Sequence, residues 1–532
     1  MPLPVGEQAW PPPGMGVIRD TMAEWDAWYV GDPERLRSQY AVDRPKLHTS
    51  QLRGGVVGAF ARGLWGAPTG GQTNPDYQVH VPVASDLAQA AGDLLVADPP
   101  TLTALAIGGG AAPTAAQQRL EEYEQDGLMQ TIARGAELGA ALGGYYPRVT
   151  WDTSVRRRTF LTNVDADAAL PSFNAAGQLQ AVTFWWDVHA DSGAQVWRHL
   201  ERHELNAAGQ GDILHGLYRG TRDQLGIRVQ SIPDWDELPP LDADGRPVGM
   251  RLTPGLCCTY IANARPNRQW RTHLVGQHLG RSDYAGAIIP LMDGLDAIYS
   301  AWMRDIRLAR ARVVVPQFML DQPAGPGSGQ YFDADRSIYS ALNSPPGKDQ
   351  GLAAQLQVIQ PAIRFAEHQA SAQEWLERIL SSAGYSAQTF GENEDGSGVT
   401  ATEVNSRDRR TALTRGRKIR EAQPELQRIL AKMLAMDVAL QFGGAEADVQ
   451  VAFPAAGQPS GLDLANTAKL LKDAGAASTL TLVKLAQPQL DEADAQAEAD
   501  RITAENGVGV GVDPADFTGA DAAGAFTTGG TA

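Results

Sequence analysis

Long apolar runs are missing from this 532-residue chain. No stretch approaches the roughly 20 residues that span a bilayer, so a soluble product with no membrane partner is expected. Cysteine is almost absent: the only two, Cys257 and Cys258, are adjacent. Neighbours in an extended segment point to opposite faces, so two free, buried thiols are expected and a disulfide framework is excluded. Positive charge is in deficit, with 45 Lys and Arg against 62 Asp and Glu and a formal net charge of -17. That balance argues against a protein coating nucleic acid over its whole surface. The opening "MPLPVGEQAWPPPGMG" is proline-rich without an apolar core, so no signal peptide is expected. Signatures of catalysis are missing as well. The Gly347-Lys348 pair runs into Asp349 instead of the Ser or Thr of a P-loop, and neither a zincin helix nor a nucleophile elbow occurs. No enzyme activity and no cofactor are expected.

What remains is the composition of a globular protein, 43% hydrophobic and 20% charged, long enough for two to four structural units. The N-terminal part reads as helical. Thr21 with Glu24 has the spacing of a capping box, and Asp32-Pro33 sets a cap before proline. Trp25, Trp28 and Tyr29 share one face, as do Leu87, Ala91, Leu94 and Leu95. From about Gly143 to Asn267 the period changes to two, through "YYPRVTWD", "LQAVTFWWDVH", "AQVWRHLERHEL" and "DILHGLYRG". Helix returns over 283–311 on Leu291, Leu295, Ile298, Trp302 and Ile306. It then gives way to "RVVVPQFML" and the loop "DQPAGPGSGQ". A further helix carries Phe365, Trp375, Ile379 and Leu380, and a loop, a very long helix, the strand "ADVQVAFP" and small helices follow. The fold class is therefore α+β. The tail from Asn506 has no Lys or Arg and reads as disordered or as an extended arm. His199 and His203 are four apart, which would suit a metal on a helix. In β-patterned sequence with no third ligand nearby they read instead as solvent-facing strand residues, and no metal is expected.

The long helix concentrates positive charge, with seven basic side chains between Arg407 and Arg420. At about 100° per residue, Val404, Ala412, Ile419, Leu426 and Leu430 form one stripe. Arg407, Arg410, Arg417 and Lys418 cluster beside it, while Arg409 and Arg420 lie elsewhere. Pro424 sits inside the pattern, so a kink near Gln423 is expected. A helix that reads DNA keeps its basic residues on one face and needs no bend. A solvated helix with ion pairs to Glu403, Asp408 and Glu421 accounts for the same residues.

The order of these elements resembles the portal protein of tailed bacteriophages, closest to the portals of long-tailed phages of Gram-positive hosts. The likeness is carried by "VPVASDLAQAAGDLLVADPP", "HLERHELNAAGQGDILHGLYRGT", "GRSDYAGAIIPLMDGLDAIYSAWMRDIRLARARVVVP", "ILSSAGYSAQTFGENEDGSGVTATEV" and "AASTLTLVKLAQPQLDEADAQAEADRI". It implies an N-terminal arm (1–19), a wing (20–281 with 444–457), two stem helices (282–311 and 362–385) and a small α/β clip (312–361). It further implies a tunnel loop (386–400), a long kinked helix (401–443), a helical crown (458–505) and a tail (506–532). Such proteins form a ring, typically of twelve subunits, at one capsid vertex of the virion, after assembly in the host cytoplasm. Their partners are double-stranded DNA, the major capsid protein, the scaffold protein, the terminase large subunit and a head-tail adaptor.

Under that resemblance Gly391, Glu392, Asn393, Glu394, Asp395, Gly396 and Ser397 form the tunnel loop. Its carboxylates would make a negative collar through which the duplex slides. Arg407, Arg410, Arg417 and Lys418 would face the next subunit or the lumen. Phe318, Met319, Tyr331 and Phe332 would be docking anchors on the clip. Two other classes are weighed against it. A nuclease or recombinase lacks its carboxylate cluster or nucleotide loop here, and a baseplate or tail protein is expected to be β-dominated.

Overall fold

The structure is a computed structural model. It describes residues 3–4, 7–43, 79–190, 195–233, 235, 238–309, 312–316, 339–342, 357–359, 362–390, 401–454, 461–487 and 492–507. The chain divides into two compact units, Met1–Pro454 and Ala455–Ala532.

The first unit opens with α1 (Gly16–Val30), ended by Gly31 in the left-handed region (φ 67°), whose N–H bonds the Ala27 carbonyl. Thr21 does not cap a helix start: its hydroxyl donates back to the Val17 carbonyl (2.7 Å) from inside α1. Asp32 does act at the next start, accepting the Glu34 N–H (3.1 Å) ahead of α2 (Pro33–Asp43). Helices α3 (Val83–Val96), α4 (Thr114–Gln125) and α5 (Leu128–Leu142) follow, with strand β1 (Thr101–Leu105) between α3 and α4. Trp25, Trp28, Leu87 and Ala91 are buried in one core together with Tyr146, Phe184 and Tyr284.

The period-two region folds as antiparallel sheets. Strands β2 (Gly144–Trp151) and β3 (Thr159–Asp165) pair with each other, and the short β10 (Ile261–Ala262) joins β2. A larger sheet runs β4 (Ala169–Phe173), β5 (Leu179–Ala190), β6 (Val196–Leu205), β7 (Gln210–Thr221), β8 (Gln224–Val229), with β9 (Thr253–Pro254) on β7. Two of its hairpins use the same five residues, Asn-Ala-Ala-Gly-Gln at 174–178 and 206–210. In both, the Asn side-chain oxygen accepts the N–H groups two and four residues on, at 2.9–3.0 Å. The glycines, Gly177 and Gly209, take positive φ. One local sequence thus fixes the register of two strand pairs. Cys257 and Cys258 are free and buried.

Helix α6 (Ile288–Leu308) starts five residues later than the pattern suggested, because Asp283 and Tyr284 are consumed in buried contacts ahead of it. Its apolar face is buried at Leu295 (1% exposed) and opens by Ile306 (43%). It runs antiparallel to α7 (Phe365–Ala383). Near its start Gly294 lies against Trp375, and near its end Asp305 pairs with Arg364 (2.7 Å) and His368 (2.9 Å). Phe365, expected as a core anchor, is 55% exposed and only edges onto Trp302. Between the two helices, β11 (Arg312–Pro316) pairs in parallel with β12 (Tyr339–Leu342) and antiparallel with β13 (Gln357–Ile359).

Helix α8 runs through Pro424 from Ala401 to Ala439. It packs Ala422, Leu426, Ile429, Leu430, Met433 and Leu434 into a second core with Leu120, Tyr123, Ile132 and Val149. Strand β14 (Asp448–Ala452) then returns to pair with β1, Thr101 opposite Ala452, and buries Val449 and Val451. The second unit contains α9 (Gly461–Asp473), α10 (Thr479–Ala486) and α11 (Glu492–Gly507). Val483, Ala495 and Ala499 form its small core, and the Ser478 hydroxyl accepts the Thr481 N–H at the start of α10.

Candidate functional site

Of the seven basic residues of α8 between Arg407 and Arg420, the six with described side chains separate into two sets. Arg409, Arg410, Arg417 and Arg420 are exposed, and Arg410 donates to the Ser381 hydroxyl at 2.5 Å. Arg415 and Lys418 turn inward. The Arg407 backbone is helical and its side chain lies outside the described residues, as do Gly391–Ser397 and the clip residues Phe318, Met319, Tyr331 and Phe332.

Lys418 therefore departs from its expected place. It faces neither solvent nor a neighbour but the interior of its own chain, with its ammonium 2.9 and 2.8 Å from the two carboxylate oxygens of Asp283. Asn263 accepts a further bond from the ammonium and donates to Asp283 at 2.8 Å. The Tyr385 hydroxyl donates to the same carboxylate at 2.7 Å. Burial pushes the Lys418 pKa down and Asp283 pulls it back. Asp283 precedes α6 and Tyr385 follows α7, so one ion pair ties the base of both helices to α8.

Other polar groups hold the rest of α8. Arg415 donates to the Leu94 and Pro454 carbonyls (2.7 and 2.9 Å). Lys432 donates to the carbonyls of Thr253, Pro254 and Gly255 at 2.7–3.0 Å. Asp437 accepts from Thr159 N–H (2.6 Å) and Tyr123 (2.8 Å) and pairs with Arg119 (3.1 Å). The sequence reading singled out none of these three. Arg415 and Asp437 fall on the apolar stripe itself, and a charge on a buried stripe is the legible sign of an internal partner.

The histidines give a second correction. His199 and His203 are 8% and 0% exposed, not solvent-facing. On β6, His199, Glu201 and His203 alternate onto one face, and the hairpin register sets His215 of β7 directly opposite Glu201. His199 Nε2 and His215 Nδ1 are 3.0 Å apart. His203 Nε2 lies 2.7 Å from Glu201 Oε1, and the Arg148 guanidinium pairs with Glu201 Oε2. Trp186 stacks on His199, with ring centres 5.2 Å apart, and Arg148 lies over Trp186. Burial pushes His199 down to about 3 and also lowers His215, which keeps both rings neutral near neutral pH. Burial alone would raise Glu201, but Arg148 and His203 outweigh it and hold the carboxyl well below its usual range. Arg148, Trp186, His199, Glu201 and His215 line a cleft of about 980 Å³ that also includes Trp235 and Pro240. His215, which the sequence reading did not single out, is sixteen residues from His199, across a hairpin. Centring that hairpin on its Asn-Ala-Ala-Gly-Gln turn would have found it.

No family model matches the sequence, and no curated protein does. Among solved structures, the chain is similar to a chain from the neck of an empty gene transfer agent (GTA) particle computed with C6 symmetry. That match has 13% identity and a TM-score of 0.38, over 80% of this chain and 91% of that one. It is also similar to a chain from the virion of the native GTA particle, at 13% identity and a TM-score of 0.36, over 84% and 99%. A third is a chain from the neck of the native GTA particle computed with C12 symmetry, at 13% identity and a TM-score of 0.33, over 86% and 95%. Among the described residues, no helix is long and apolar enough to cross a membrane.

Proposed function

We propose that this chain is the portal subunit of a tailed phage or phage-like particle, a ring-forming conduit through which double-stranded DNA enters and leaves the capsid. The observation that carries the reading is the junction at Lys418. An antiparallel helix pair, with a small mixed sheet at its far end, is pinned at its near end by Asp283 and Tyr385 to a 39-residue helix. That helix in turn runs through the core of a β-rich body. In a ring, the helix pair is the stem, the mixed sheet the clip, and the β-rich body the wing. Gly391–Ser397, between α7 and α8, face the channel. A ring repeats each of its carboxylates around the lumen, which disfavours sticking of the duplex. The clip residues Phe318, Met319, Tyr331 and Phe332 dock the terminase large subunit and then the head-tail adaptor. The capsid and scaffold proteins contact the outer face.

The exposed arginines belong to the subunit interface in this reading. Arg410 and Arg417 pair with acidic groups of the adjacent copy, and Lys418 is excluded because its charge is used internally. Native mass spectrometry with negative-stain imaging tests the proposal. Rings near twelve-fold with a central hole are expected, and Arg410→Glu/Arg417→Glu should reduce ring yield more than it changes affinity for free DNA. A chain that stays monomeric or dimeric at high concentration and with scaffold protein present would overturn the portal reading. Normal rings from the double variant would overturn the interface assignment alone.

A further inference from the structure

We infer that His199, Glu201 and His215 form a binding site for one divalent transition-metal ion, zinc by its donor set, in the cleft of the six-stranded sheet. The inference stands apart from the portal reading, since it concerns one chain's own sheet.

Three observations converge. The first is placement: one ligand atom from each of the three buried side chains lies within 4.8 Å of the others. The two imidazole nitrogens are already 3.0 Å apart. Zinc–nitrogen bonds of about 2.0–2.1 Å at a near-tetrahedral angle need nitrogens roughly 3.3 Å apart, so a shift of a few tenths of an ångström suffices. In the metal-free protein one neutral ring donates its proton into that gap. On metal binding that ring takes the tautomer with the proton on its far nitrogen, so both lone pairs point inward with no net proton loss.

The second is outer support. Each Glu201 oxygen meets one partner, His203 at Oε1 and Arg148 at Oε2. A carboxylate oxygen has two lone pairs, so either can ligate while keeping that partner. Carboxylate ligands in metal sites are held by outer hydrogen bonds of this kind, and Trp186 stacked on His199 fixes the ring plane. The third is access. The three residues line an open cleft, which admits an ion and leaves room for a water in the fourth position.

The donor set also selects the ion. Two imidazoles and one carboxylate suit zinc, copper or cobalt better than the oxygen-seeking magnesium and calcium. Arg148 reinforces this, because it withdraws part of the carboxylate charge on which a hard cation depends.

The test uses the full chain, stripped with chelator and titrated with cobalt(II). Visible d–d bands saturating at one ion per chain are expected, displaced by zinc and not by magnesium. His199→Asn/His215→Asn should abolish them, and Glu201→Gln should weaken binding roughly tenfold or more. Wild-type melts supply an arm that needs no variant: zinc should raise the midpoint where equimolar magnesium does not. Absence of bands and of the zinc shift in the wild type overturns the site, leaving a neutral imidazole pair beside an ion pair. Unchanged bands in a folded double-histidine variant overturn it equally.

Discussion

A lysine ammonium taken out of water without a partner is costly enough to lose its proton or disrupt its surroundings. Lys418 keeps its charge because Asp283, Asn263 and the Tyr385–Asp283 bond complete a closed polar cluster. Removing one charge leaves the other buried, which costs about 3–5 kcal/mol. Lys418→Met should therefore lower the guanidinium midpoint strongly, and Lys418→Met/Asp283→Asn should recover part of the loss. A single variant that melts like wild type would remove Lys418 from its structural role. Asp126 offers a titratable case. Arg158 grips its carboxylate with two bonds (2.6 and 2.8 Å) and Arg156 adds a third contact, which lowers its pKa from 3.8 to about 2. A depressed carboxylate pKa contributes stability that is complete above the unfolded value and is lost as pH falls through the folded one. Asp126→Asn should accordingly lower the melting temperature at pH 7, and the gap from wild type should close as pH falls through 3.8 towards about 2. A gap of constant size across that range would mean the arginines do not act through the charge.

At the scale of elements, the helix pair α6–α7 depends on a close approach at one glycine. A Cβ on Gly294 would sit 2.2 Å from Cζ3 of Trp375. Gly294→Ala therefore has to displace the indole, and overpacking of this kind costs about 1–3 kcal/mol. The expected readout is a lower melting midpoint with a red-shifted tryptophan emission, partly reversed by Trp375→Leu. The two helices and the strands between Gly143 and Asn267 were legible from periodicity because each has one face toward a core. Leu291, Leu295 and Ile298 mark that face on α6. The helix's true start was not legible, since Asp283 and Tyr284 look helix-compatible and leave the helix only for partners distant in sequence. Lys418 was misplaced for the same reason. A helical wheel gives direction around an axis, but only the partner at 283 decides which side is buried. His215 was missed although β6 was read as a strand: its place opposite Glu201 comes from the register across the hairpin, which spacing along a single strand does not show.

For the whole first unit, the order of elements was readable from the sequence, whereas the closure of its two ends was not. Strand β14 follows the long helix, and its antiparallel partner is β1, near the other end of the unit, with Leu102 opposite Val451. Pairing at such separation leaves no local trace beyond a short alternating segment, so "ADVQVAFP" could be read as a strand without its neighbour being named. The consequence is a sharp boundary in how much C-terminal chain the unit requires. Val449 and Val451 are 5% and 0% exposed, and Arg415 of α8 needs the Pro454 carbonyl as acceptor. A chain cut after Pro454 loses only the separate unit Ala455–Ala532 and should melt cooperatively with a midpoint close to that of the full chain. A chain cut after Gly443 loses the strand as well, leaving β1 unpaired and the core around Leu426 and Leu430 open on one side. It should melt well below the first truncation or fail to fold. Equal midpoints for the two truncations would show that β14 is a passenger on the edge of β1. A collapse of both would show that the first unit cannot stand without the second.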